Sequence, residues 1–329
     1  MSDTTAPAAE PLVPSSATAP TTPVVILVVG MAGTGKTTLV HRMQHYAHAN
    51  NIRSYFINLD PAVTQTPYNV NIDIRDSVKY SEVMKNYRLG PNGAIMTSLN
   101  LFATKIHQVV SLLEKRKDSL DWIVVDTPGQ IEVFTWSASG QLITESFAAA
   151  LPTTLLFVAD TVRCVSSPHT FVSTMLYSSG IMLKQQVPLV VVFNKTDVVS
   201  ADTVIAWMRD NDALDDAVIN PPKQQRFVRN EEQESEEDYS GIGGDGSRVA
   251  AAVAAHDTQL PSQGSSYAGT LAQSMSLFLH EYYEDLPYAA VSAASGAGMA
   301  DLAASIEQGK QQAIEAMKSV EAARATKGS

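Results

Sequence analysis

Three short segments carry residue types and spacings suited to phosphate, metal and base chemistry. Gly30-Met31-Ala32-Gly33-Thr34-Gly35-Lys36-Thr37 fits G-x-x-x-x-G-K-[ST] and directly follows the apolar run Val24–Val29. Glycines so placed let successive backbone N–H groups face one concavity that holds phosphate oxygens. There Gly33, Thr34, Gly35 and Thr38 line the cradle, Lys36 reaches the β- and γ-phosphates, and Thr37 ligates Mg²⁺ at a helix N-terminus. The plain alternative is a glycine-rich turn that binds nothing, and the strand before and helical pattern after argue against it. Asp126-Thr127-Pro128-Gly129-Gln130 ends a second apolar run, Trp122–Val125. An Asp at that place steadies Mg²⁺, and the Gly129 N–H can donate to a γ-phosphate. Taken alone, D-T-P-G is equally a common turn; downstream of a P-loop and at the end of a buried strand, the functional reading wins.

Asn194-Lys195-Thr196-Asp197 closes a third run, Leu189–Phe193, and here the chemistry selects a base. A carboxylate only accepts hydrogen bonds. Asp197 can therefore accept from both N1–H and the 2-amino group of guanine, and adenine offers neither donor there. Asn194 can bond the opposite edge, and the stem of Lys195 can cover the ring. Ser292-Ala293 follows the last apolar run, where a backbone N–H can meet guanine O6. The nucleotide this set points to is GTP.

Such groups need a scaffold that brings distant segments to one edge. The apolar runs Val24–Val29, Ser54–Asn58, Trp122–Val125, Thr154–Ala159, Leu189–Phe193 and Tyr288–Val291 are short, and most lack polar alternation, as strands buried on both faces of a parallel sheet do. Helical stretches fall between them. One is Ser98–Lys117, with Leu99, Phe102, Ile106, Val109 and Leu113 along a single stripe. The rhythm predicts a P-loop α/β fold: a mainly parallel, doubly wound sheet flanked by helices. Residues 1–23, rich in Ala, Pro, Ser and Thr, read as a disordered arm. The domain is expected to span 24–325, leaving a short tail at 326–329. The rhythm breaks at 215–265, which holds four basic and ten acidic residues and whose centre, Glu231–Gly246, combines an acidic run with Gly-rich sequence; this reads as a mobile acidic insertion. Helical pattern resumes at Leu271–Tyr283, and a final Ala-rich helix is expected from about Met299 to Ala323.

The composition narrows the function classes. With 23 Lys and Arg against 34 Asp and Glu, the net charge is −11, which disfavours binding nucleic acid or anionic membrane by bulk electrostatics. A single cysteine, Cys164, excludes an internal disulfide and a Cys-based metal cage, and suits a reducing compartment. The first 23 residues lack Lys and Arg, which argues against a signal or transit peptide, and no apolar run approaches 18 residues. The expectation is a soluble intracellular protein.

The order and spacing of these motifs resemble the GPN-loop GTPases. Gly90-Pro91-Asn92-Gly93 carries the resemblance, with Asn58-Leu59-Asp60-Pro61-Ala62, Asn71-Ile72-Asp73-Ile74-Arg75-Asp76 and Asp126 through Phe134. The run Gly30–Lys36 and the stretch Phe134-Thr135-Trp136-Ser137-Ala138-Ser139-Gly140 are most similar to the first of three eukaryotic paralogues. The resemblance implies a GTPase with Mg²⁺ and GTP or GDP as cofactors. It also implies a homodimer or a heterodimer with a paralogue, and a cytoplasmic, nucleus-shuttling role in assembly and nuclear import of RNA polymerase II, through its subunits or assembly factors. In such a dimer Asn92 would act in trans on the partner's γ-phosphate, a neutral amide stabilising charge where water is excluded. Read without the family, G-P-N-G is a tight turn. Asp60 belongs with Mg²⁺ and the attacking water, or caps a turn before Pro61. Asp76 could serve the same chemistry or cap a helix starting near Ser77. Gln130 takes the place of a water-orienting glutamine, in a secondary role to Asn92.

Other signals stay outside this scheme. His41, His45 and His48 share one helical face at a spacing that could hold zinc or nickel, which keeps a metallochaperone-type GTPase as an alternative; a surface stripe is the simpler reading. A non-hydrolysing scaffold stabilised by nucleotide is the other alternative. Cys164 reads as structural, and Met175 and Met182 as core filler.

Overall fold

The computed structural model describes residues 22–219, 278–279, 282–283 and 286–327. Its first half runs β1 (Val24–Val29), α1 (Lys36–Ala49), β2 (Ser54–Asn58), β3 (Ile72–Asp73), α2 (Ile74–Ser77), α3 (Tyr80–Tyr87), α4 (Pro91–Ala103), α5 (Ile106–Arg116), β4 (Trp122–Asp126), α6 (Ile131–Thr135) and α7 (Ala138–Ala150). The second half runs β5 (Thr153–Asp160), α8 (Thr161–Ser166), α9 (Pro168–Gln185), β6 (Leu189–Asn194), α10 (Asp202–Arg209), α11 (Asn211–Ile219), β7 (Tyr288–Ala290) and α12 (Met299–Lys327).

The seven strands form one parallel sheet in the order β3-β2-β4-β1-β5-β6-β7. Every residue of β1, β4, β5 and β6 is buried, because helices cover both faces. The two faces follow the period of two along a strand. Val25, Leu27 and Val29 of β1 join a core with α4, α5, α7 and α9, while Val24, Ile26 and Val28 join a second core with α1 and α12. The predicted doubly wound α/β class is what the chain adopts.

Differences lie in the small elements. β3 is two residues long, pairs Ile57 with Ile72 and Asn58 with Asp73, and has no apolar run to announce it. The stripe from Leu99 to Leu113 is buried as expected, but two helices carry it, broken at Thr104, whose hydroxyl turns back to Leu101 O at 2.7 Å. Gly90-Pro91-Asn92-Gly93 is the start of α4, with Gly90 as N-cap and Pro91 in the first turn, where its missing N–H costs nothing. Asp76 lies inside α2 and Asp73 is that helix's N-cap, accepting from Arg75 N. Helix α11 carries buried Leu214 and Val218 into the start of the stretch read as an insertion. The rest of that stretch, the N-terminal arm to residue 21 and most of Leu271–Tyr283 lie outside the described residues. Among the described residues no helix is long and apolar enough to cross a membrane.

The sheet order places the site. Going from β1, the chain's next neighbours in space are β4 on one side and β5 on the other, so their following loops diverge and leave a crevice at the carboxyl ends. The register brings Asn58 beside Asp126, Val28 beside Asp126, and Asp160 beside Asn194 along that edge.

Candidate nucleotide site

The loop between β1 and α1 wraps the crevice floor. Gly35 is the N-cap of α1 with φ +90°, and a Cβ there would sit 2.5 Å from Asn194 Nδ2, so both backbone and packing demand glycine. No side chain caps α1 and its first turn holds no acidic residue. Its N-terminal N–H groups and dipole therefore remain available to an anion. Thr34 is buried, Gly33 and Thr38 are exposed, and Thr37 is half-buried. Lys36 is buried, and its Nζ donates to Gly30 O (2.7 Å), Met31 O (2.9 Å) and Gly129 O (3.3 Å). Burial lowers its pKa, while Asp126, Asp60 and Glu132 pull it back up. The ammonium thus ties the phosphate loop to the segment after β4.

That segment supplies the candidate metal corner. Thr37 Oγ1 donates to Asp126 Oδ2 at 3.2 Å, and the Tyr68 hydroxyl donates to the same oxygen at 2.9 Å. Asp126 Oδ1 is buried without a hydrogen-bond partner. Burial lifts the Asp126 carboxyl to about 6, opposed by the hydrogen bonds from Tyr68 and Thr37, and raised further by Asp60. An orphaned carboxylate oxygen beside a threonine hydroxyl and a second carboxylate is a donor set for a hard divalent cation, so the residues fit Mg²⁺. Asp60 stands close by: its Oδ2 accepts from Gly129 N (3.2 Å) and its Oδ1 from Ala62 N (2.9 Å). It therefore caps its local turn and also reaches the N–H expected to meet a γ-phosphate. Gln130 is the N-cap of α6 and half-buried beside them. Tyr68 was not foreseen; it comes from a loop, with no local pattern to mark it.

The base corner forms at the ends of β6 and β7. Asn194 is buried, its Nδ2 donating to Thr34 O (2.8 Å) and its Oδ1 accepting from Ala293 N (3.0 Å). One of its two amide hydrogens is used, leaving the other for a base edge. Ala293 N–H, one of the backbone groups after the last strand, is engaged by Asn194. Asp197 is exposed, and its Oδ1 accepts from Ser292 Oγ at 2.6 Å. Lys195 adopts φ +72° and its Nζ bonds Asp160 Oδ2 at 2.7 Å, which stretches the stem along the mouth of the crevice.

Asn92 is exposed in the first turn of α4 and makes no hydrogen bond to the residues of either corner. His41 and His45 face each other with Nε2 atoms 3.0 Å apart, while His48 is exposed and takes no part. Among the described residues no group of three or more His, Cys, Asp or Glu side chains is placed to hold a metal. Cys164 is buried, and burial pushes its thiol up to about 11, which makes it inert at neutral pH.

The family described as "Conserved hypothetical ATP binding protein" matches residues 28–312. "GPN-loop GTPase QQT2" of Arabidopsis thaliana is 45% identical over 291 residues, 88% of this chain and 65% of that protein. "GPN-loop GTPase 1" of Saccharomyces cerevisiae is 46% identical over 273 residues, 83% of this chain and 62% of that protein. The chain thus spans less than two thirds of the length of these relatives. A solved structure of a GTPase in apo form from Pyrococcus abyssi shares the fold, with a TM-score of 0.65 at 22% identity over 87% of this chain and 96% of that one. Identity at this level, held across more than four fifths of the sequence, makes the chain a member of the GPN-loop GTPase family.

Proposed function

We propose that the protein is a Mg²⁺-dependent GTP hydrolase that works as a dimeric switch in assembly and nuclear import of RNA polymerase II. The observation that carries the hydrolase reading is Asp126, whose buried, unpartnered Oδ1 adjoins the Thr37 hydroxyl where the phosphate loop meets β4. Thr37 and Asp126 would hold the cation, with Asp60 close enough to act through its water shell. The cation would neutralise charge between the β- and γ-phosphates. Lys36 and the Gly129 N–H would bind the γ-phosphate, and Asp60 and Gln130 would orient the attacking water. Asn92, exposed at the head of α4, would donate to the partner subunit's transferring phosphoryl oxygens. Exposed Tyr87 and Met96 flank it in sequence and offer apolar surface to a second subunit.

Guanine is favoured over the adenine of the matched family's description by the base corner, because Asp197 can only accept. The polymerase role and the cytoplasmic, shuttling location rest on resemblance alone, carried by Gly30–Lys36 and Phe134–Gly140. Turnover of GTP and ATP by the pure chain, with Mg²⁺ and with EDTA, tests the chemistry. GTP turnover lost in EDTA is expected; equal turnover of ATP would remove the guanine assignment. Capture of polymerase subunits in the GTP but not the GDP state is the expected cellular result, and capture independent of nucleotide would sink the switch.

A further inference from the structure

We propose that Arg42 sets the base preference of this site without touching the base. The inference rests on the guanine reading above. Arg42 lies on the second turn of α1, the helix whose first turn faces the phosphates, and reaches the loop after β7. Its Nε donates to Ala293 O at 3.1 Å and an Nη nitrogen donates to Ala294 O. A planar guanidinium fork fixes the directions of both bonds to two consecutive carbonyls, whereas a lysine ammonium on its flexible stem fixes neither. Gly296 bends the loop around the side chain with φ +88°, and a Cβ there would stand 3.3 Å from Arg42 Nη1.

Holding those carbonyls decides where the neighbouring N–H groups point. Across a trans peptide, C=O and N–H face opposite ways. With Ala293 O turned to Arg42, the Ala294 N–H turns away from it. With Ala294 O turned to Arg42, the Ser295 N–H turns inward, where it donates to Ser292 Oγ at 3.1 Å. That hydroxyl in turn donates to Asp197 Oδ1. Of the five N–H groups from Ser292 to Gly296, those of Ser292, Ala293, Ser295 and Gly296 are engaged within the loop or by Asn194, which leaves Ala294 N–H for a ligand. Guanine offers an acceptor, O6, where adenine offers an amino donor. A loop that presents N–H therefore selects guanine, and the same loop with a flipped peptide would present C=O and select adenine. Arg42 holds the first arrangement.

Binding of GDP, IDP and ADP separates this role from a merely structural one. IDP keeps O6 and N1–H but lacks the 2-amino group, so GDP over IDP reports Asp197 at the 2-amino group. IDP over ADP reports the loop at O6 together with Asp197 at N1–H. Because Asp197 is the same in every variant, a change in IDP over ADP without one in GDP over IDP reports the loop. In Arg42→Ala we expect IDP over ADP to fall roughly tenfold, about one hydrogen bond, with GDP over IDP changed less than about threefold. Arg42→Lys should recover part of the loss, and melting curves check the fold of both variants. An unchanged IDP-over-ADP ratio in Arg42→Ala, with wild-type still preferring GDP, overturns the role of Arg42 alone. A uniform loss of all three nucleotides also overturns it, since Arg42 would then only brace α1. A wild-type chain that binds ADP as tightly as GDP overturns the guanine reading and this inference with it.

Discussion

Burial without a full set of partners makes the ionised Asp126 carboxylate costly. Its carboxyl sits near 6 against an ordinary 3.8, so the folded chain keeps a proton that the unfolded chain has already released. The stability from that proton is complete below about pH 4 and is lost as pH rises through 6. The loss is on the order of 3 kcal/mol. In EDTA, the stability of Asp126→Asn relative to wild-type should therefore improve by that order between pH 4 and 7, and Mg²⁺ with GDP should reverse the gain at pH 7. Urea melts of both proteins at the two pH values check it; a gap that ignores pH would mean the carboxyl is not held up. Residues of this kind were legible where a motif compresses the chemistry into a few positions, as with Lys36, Thr37, Asp126 and Asn194. Tyr68 and Arg42 were not, because their partners are 58 and 251 residues away in the chain and hydroxyl or guanidinium groups on a loop or helix face carry no local signature.

Elements were legible in proportion to their burial. Six strands announced themselves by apolar runs that two helical layers require, whereas β3 needs only two residues because β2 supplies its pairing. The break at Thr104 was invisible for a related reason: a buried stripe keeps its spacing through a short kink, and periodicity alone reads one helix. Close approach between elements leaves a clearer mark, in glycine. Gly140, in the first turn of α7, stands so near α6 that a Cβ would lie 1.9 Å from Phe134 O. Gly180, inside α9, would place its Cβ in open space. Gly140→Ala should therefore destabilise by about 1–3 kcal/mol through forced movement of the α6–α7 corner. Gly180→Ala should instead stabilise by about 0.5–1 kcal/mol, since only helix propensity changes. Denaturant melts of the pair decide, and equal effects would remove the packing argument.

At the scale of the whole molecule, the site is incomplete in one chain if Asn92 acts in trans. Asn92→Ala should then keep GTP affinity and fold while hydrolysis drops about a hundred- to a thousandfold. Lys36→Ala should fail earlier, at binding, because in the proposed site Lys36 would meet the ground-state phosphates. Mixing the two variants pairs an intact Asn92 with an intact phosphate loop across the interface, so turnover should return with the mixing ratio once subunits exchange. Exchange without recovery would place Asn92 in its own subunit or leave it only shaping the head of α4.

The hydrogen bond between the Asp60 carboxylate and Gly129 N–H has a consequence for resting occupancy. An acceptor tethered to the chain competes at an effective concentration on the order of millimolar, whatever the solution holds. A triphosphate has to displace it from the amide, and a diphosphate, which lacks the terminal oxygens, does not. In the proposed nucleotide site the carboxylate would therefore compete with the longer nucleotide alone, and the balance would lean toward GDP. Replacing Asp60 by Asn weakens the tethered acceptor, so the affinities for GDP and for a non-hydrolysable GTP analogue, measured in EDTA to remove the proposed part of Asp60 at the cation, should draw together. An unchanged ratio would show that the carboxylate yields the amide without resistance.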